Sequence, residues 1–110
     1  MMGQYICKLE DRYFVYSTVV DAPTTPPLKL SELRKWYGEE FGAHGLEEFE
    51  RRISRVESSG TSAIGDSLEG VLLCNRAGPN GSELTLDQFR AWCRGEFSIP
   101  GAEWSASDGT

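Results

Sequence analysis

Gly45-Leu46-Glu47-Glu48-Phe49-Glu50-Arg51-Arg52-Ile53-Ser54-Arg55-Val56 is the stretch on which the fold turns. Leu46, Phe49, Ile53 and Val56 recur at helical spacing and make one apolar stripe. The remaining positions are charged or small, and Glu47 and Glu48 each stand one helical turn before Arg51 and Arg52, the orientation that supports an exposed helix face. This helix has a wet outer side. Its inner side requires cover from the rest of the chain.

Upstream, Ser31 is positioned as an N-cap for a first helix carrying Leu33, Trp36, Tyr37 and Phe41, with Glu32 at the favourable end of the helix dipole. Gly42-Ala43-His44-Gly45 reads as a tight break between the two helices, since glycine takes positive φ at low cost. Ser58-Ser59-Gly60 ends the second.

The cover is expected from Tyr5 to Val20, two runs rich in Tyr, Phe, Ile and Val around the polar turn Glu10-Asp11-Arg12, which predict a β-hairpin. In the second run Tyr13, Val15, Ser17 and Val19 share one face and Phe14, Tyr16, Thr18 and Val20 the other. Both faces carry bulk, so this strand is central or covered on both sides. Asp21-Ala22-Pro23-Thr24-Thr25-Pro26-Pro27 is expected to leave the ladder as a stiff connector, because prolines lack the amide donor.

Downstream, Thr61-Ser62-Ala63-Ile64 predicts a short strand and Val71-Leu72-Leu73-Cys74 a buried one. Thr85-Leu86-Asp87-Gln88 is a capping box with Leu84 and Phe89 as its hydrophobic staple. It opens a last helix with Leu86, Phe89 and Cys93 inward, Trp92 near the edge and Gly95 as terminator. The expected fold is a two-layer α+β domain over 1–97, with an antiparallel sheet of three or four strands packed on about three helices in the order β-β-α-α-(β)-β-α. A mobile tail over 98–110 is expected to follow, in which Trp104 either docks back or meets a partner.

Eleven basic against seventeen acidic side chains leave a charge of −6, which repels a phosphate backbone and disfavours nucleic acid. A basic surface on another protein is the matching partner. Cys7, Cys74 and Cys93 are odd in number and lack paired spacing, so they read as buried thiols, and neither a metal nor a cofactor is expected. No run approaches the length of a membrane span, and Met1 to Lys8 lacks the segments of a signal peptide; the expected compartment is the cytoplasm.

Two functional readings follow. In the first, the chain is a non-catalytic binding or inhibitor protein that meets its partner through Glu47, Glu48, Glu50 and Trp104. In the second, it is a small anionic-ligand module or modest enzyme built on the loop Asn75-Arg76-Ala77-Gly78-Pro79-Asn80-Gly81. There Arg76 acts as anion clamp, Asn75, Gly78, Asn80 and Gly81 line the site, and Asp21 or His44 is accessory. The segments Tyr13 to Pro23 and Asn75 to Pro79 resemble small phage or prophage accessory proteins. That resemblance implies an inhibitor of a host component, such as an antiviral defence protein, and transfers no residue role.

Overall fold

The computed structural model describes residues 4–65, 67–73 and 75–99. Strands β1 (Gln4–Leu9) and β2 (Arg12–Ser17) form the expected antiparallel hairpin, with Ile6 opposite Val15 and Cys7 opposite Phe14. Glu10 and Asp11 both lie at positive φ, as the primed two-residue turn requires to match strand twist.

The proline-rich segment departs from expectation. Ala22–Pro23 forms β3 on the free edge of β2, so the sheet has three strands in the order β1-β2-β3. Beyond it the Thr24 amide donates to Val15 O, and Tyr13 and Leu28 exchange both backbone hydrogen bonds at 2.8 Å. An edge strand needs inward amides only at alternate positions. Thr24 and Leu28 supply them here, and the prolines fall elsewhere. On the far edge, the strand expected at Thr61–Ile64 shrinks to one bridge between Thr61 and Cys7, flanked by Lys8 N–H to Gly60 O and Ser62 N–H to Ile6 O.

The helical span α1 (Leu30–Ser59) starts before Ser31 because Glu32 accepts the Lys29 amide at 2.7 Å, making Lys29 the cap. Inside it only Gly42 is non-helical, at φ 72° and ψ −162°, a region open essentially to glycine alone. The expected four-residue break is thus one residue long. Across it the chain reverses: Arg34 pairs with Glu50, and a Cβ placed on Gly38 would lie 3.4 Å from Leu46 Cδ1. In a straight helix residues 34 and 50 would stand about 24 Å apart. The span is therefore an antiparallel αα-hairpin with arms 30–41 and 43–59, joined at Gly42, its second arm ended by Gly60, whose amide returns to Val56 O.

Val71-Leu72-Leu73 is not strand. It lies in and just after α2 (Leu68–Leu72), a short helix whose first turn is capped by Ser67 Oγ accepting the Gly70 amide at 3.0 Å. A brief apolar run fits either structure by periodicity, and the cap decides. A 3-10 turn (Pro79–Gly81) and α3 (Leu86–Cys93) complete the order, with the capping box of Thr85 and Gln88 formed as expected. Trp92 is buried, not at the edge, because its ring meets Phe14 edge-on at 5.2 Å.

These elements give an α+β fold. Because β2 is apolar on both faces, the sheet is lined on both, which refines the two-layer expectation. The αα-hairpin covers Ile6, Tyr13 and Val15 through Leu33, Tyr37, Phe49, Ile53 and Val56. On the other face α2 and α3 cover Cys7, Phe14 and Tyr16 through Leu68, Val71, Phe89 and Trp92. Packing extends to Ile99, past the expected boundary at 97. Among the described residues no helix is long and apolar enough to cross a membrane.

Gly45 is required for another reason than Gly42. A Cβ there would lie 2.2 Å from Phe41 Cβ, across the tight corner of the hairpin. Gly45→Ala is expected to destabilise the domain by about 1 to 3 kcal/mol, as overpacking does. Urea denaturation checks it, and a loss below a few tenths would mean the corner opens freely.

Candidate functional site

The loop proposed as an anion clamp is built for a different purpose. Asn75 is buried, and its amide nitrogen donates to Leu72 O and Leu84 O, both at 2.9 Å. Its carbonyl accepts from Leu84 N at 2.9 Å and Ala77 N at 3.2 Å. One side chain thereby ties the end of α2 to the approach of α3. The loop amides also turn inward, Gly78 N to Ser82 O and Gly81 N to Gly78 O. Asn80 and Arg76 are exposed, and the Arg76 amide donates to Asp21 O, so these two residues do meet. His44 does not join them. It belongs to α1, which covers the opposite face of the sheet.

The three glutamates of the organising helix stand on its second arm in unequal settings. Glu50 pairs with Arg34, whose guanidinium also lies 5.0 Å over the Phe49 ring. Glu48 accepts from Arg51 at 2.7 Å and lies 3.5 Å from Arg52 Nε. The Arg51 hydrogen bond, aided by the neighbouring arginines, holds its carboxyl below the usual range. Glu47 is exposed. Trp104 and Cys74 lie outside the described residues.

Two depressions emerge that the sequence reading did not contain. At the closed end of the αα-hairpin, Tyr37, Phe41, His44, Gly45, Glu48 and Arg52 line a cleft of about 410 Å³. Burial pushes the Tyr37 phenol up, and the Arg52 charge opposes that rise, so hydroxyl and guanidinium feel each other's field. Between α2 and α3 runs a narrower groove of about 180 Å³. Its walls are Leu72, Leu84, Leu86 and Phe89, with Leu73 on its lip and the carboxylates of Glu69 and Glu83 at its rim. Leu73 is 68 % exposed, although Leu72, Leu84 and Phe89 of the same groove are buried.

The thiols are poorly placed for chemistry. Burial pushes both Cys7 and Cys93 up to about 12, far from thiolate formation at neutral pH. No cluster of three metal-binding side chains occurs among the described residues.

At the sheet edge Glu57 accepts from Lys8 Nζ at 2.8 Å and from the Tyr13 hydroxyl. The Lys8 bond and then the Tyr13 bond hold the Glu57 carboxyl below its ordinary value, while the Glu57 bond raises Lys8 and burial raises Tyr13. The depressed acid stabilises the fold above the ordinary carboxylate range, and that contribution is lost as pH falls through the folded value. The raised amine and phenol contribute below about pH 10 and lose their effect as pH rises through their folded values. Glu57→Gln is therefore expected to flatten the acid limb of a stability-versus-pH curve by no more than about 1 kcal/mol, since the pair is solvent-screened. An unchanged acid limb would exclude the linkage.

Compared with protein-family models, curated proteins and solved structures, the chain finds no match. Function is therefore read from its own surface.

Proposed function

We propose that this is a non-catalytic binding protein that holds an apolar side chain of another protein, flanked by basic residues, in the groove between α2 and α3. The observation that carries the reading is the groove itself: an apolar lining, an exposed Leu73 and an exposed Glu69 beside it. At about 180 Å³ it is smaller than the roughly 300 Å³ at which metabolite pockets begin, and matches a single anchoring side chain. Burying one aliphatic anchor contributes about 1.5 to 3 kcal/mol. The rim and a net charge of −6 favour a basic neighbour and speed its approach. The second arm of α1 offers Glu47 to the same kind of surface, but Glu48 and Glu50 already neutralise arginines of their own chain.

The finer reading is a phage-encoded inhibitor acting in the cytoplasm on a host defence protein. It rests on the resemblance drawn from the sequence for Tyr13 to Pro23 and Asn75 to Pro79 alone. It directs the search to lysates of bacterial hosts.

The test is affinity capture with the tagged chain and charge-changed variants. Leu73→Asp, at an exposed position, is expected to abolish stoichiometric capture while leaving the melting temperature unchanged. Glu69→Lys with Glu83→Lys is expected to weaken capture at least tenfold and to reduce its salt dependence. Capture that survives all three substitutions but falls with Glu47→Lys would move the interface to α1.

A further inference from the structure

We infer that the cleft at the closed end of the αα-hairpin binds a small organic monocarboxylate with a flat apolar body, its carboxylate held by Arg52. This inference stands apart from the groove between α2 and α3, on the opposite face of the sheet. Arg52 is the most enclosed ion-paired arginine described, its side chain only 13 % exposed. Its Nη1 donates to Gln4 O at 3.3 Å, which fixes the plane of the guanidinium against β1. The other edge of the fork faces Glu48 in an ion pair that makes no hydrogen bond at Nε. Nε is buried and has no hydrogen-bond acceptor, since Glu48 approaches only to 3.5 Å and is drawn outward by its 2.7 Å bond to Arg51.

A buried guanidinium edge with a missing acceptor is an arrangement that a planar carboxylate completes with two parallel hydrogen bonds. Charge points the same way. Glu48 is shared between two arginines, so the three side chains together carry one positive charge, which suits a monoanion better than a phosphate dianion. Beside Arg52 stand the rings of Tyr37 and Phe41, tilted against each other at 4.8 Å, and His44 and Gly45 complete the lining. The volume of about 410 Å³ falls within the range of small-molecule sites. Its lining joins two aromatic rings to the opposite charges of Arg52 and Glu48, so a carboxylate takes the Nε edge by displacing Glu48.

The test titrates the full chain with benzoate, and separately with benzylammonium, followed by proton–nitrogen NMR. Benzoate is expected to give saturable shifts centred on Tyr37, Phe41, Gly45 and Arg52, and benzylammonium none. Arg52→Lys keeps the charge but loses the fork, and is expected to weaken benzoate at least tenfold. Glu48→Gln removes the competing carboxylate and is expected to tighten benzoate severalfold. Glu48 is 40 % exposed, so this second variant decides the matter even if Arg52→Lys loosens β1. Benzoate shifts that never saturate, affinity unchanged in a folded Arg52→Lys, no tightening in Glu48→Gln, or preferential binding of benzylammonium would each overturn the assignment.

Discussion

Asn75→Ala is expected to cost about 3 to 5 kcal/mol, although the residue belongs to a loop and fills no hydrophobic position. Its amide closes four hydrogen bonds to backbone groups at Leu72, Ala77 and Leu84. Alanine would leave the Leu84 carbonyl and the Ala77 and Leu84 amides to find other partners in a site where Asn75 is only 2 % exposed, while Leu72 O keeps the backbone amide of residue 75 at 3.2 Å. A buried group without a partner costs about 1 to 3 kcal/mol, and partial rescue by entering water keeps the total below the simple sum. Asn75→Asp retains the acceptor but loses the donor, and should fall between alanine and wild type only if its charge is tolerated there. Chemical denaturation measures all three. A loss under 1 kcal/mol for Asn75→Ala would show that the link between α2 and α3 is not held by this side chain. Because the groove lies between those helices, partner capture by the alanine variant should fall with its stability.

Phe49→Ala is expected to destabilise the domain by about 3 to 5 kcal/mol, a large share of the 5 to 15 available to a domain of this kind. Phe49 is fully buried, packed in the cluster with Ile6, Tyr13 and Val15 and 5.1 Å from the Tyr37 ring. Truncation opens a cavity between the arms of the αα-hairpin and the sheet. Its neighbour Glu50 makes only an exposed pair with Arg34, so Glu50→Ala is expected to cost less than about 1 kcal/mol. Urea denaturation of both variants separates the inward stripe from the outer face. Equal small losses would mean that α1 does not pack by this stripe.

Those two residues mark the limits of what was legible in the chain. Phe49 was readable because its burial follows from helical periodicity, and the hairpin, the Gly60 stop and the Thr85–Gln88 box are equally local. The role of Asn75 was not readable, since its partners belong to segments whose meeting depends on the whole fold. Val71-Leu72-Leu73 fits a strand as well as a helix because a short apolar run has no decisive period; the deciding signal is Ser67 ahead of it, with Glu69 in the first turn. Without α2 there is no groove. The Pro23–Leu28 edge was hidden for a related reason, as proline excludes a central strand but tolerates an edge. The Arg52 cleft needs Tyr37 and Phe41 from one arm and Glu48 from the other, and so exists only once the chain has reversed at Gly42.

That reversal also sets how copies of the protein could exchange parts. Both arms are helical up to Gly42, and one pair of dihedral angles separates the αα-hairpin from a single rod about 45 Å long. In the rod, the second arm with Phe49, Ile53 and Val56 would be carried away from its own sheet and could satisfy the same face of a neighbour's. The contacts would be those of the monomer, supplied between chains, which is the requirement for a swapped dimer. A residue at position 42 that favours helical angles would bias the chain toward that dimer. Gly42 therefore lets the second arm fold back onto the sheet of its own chain.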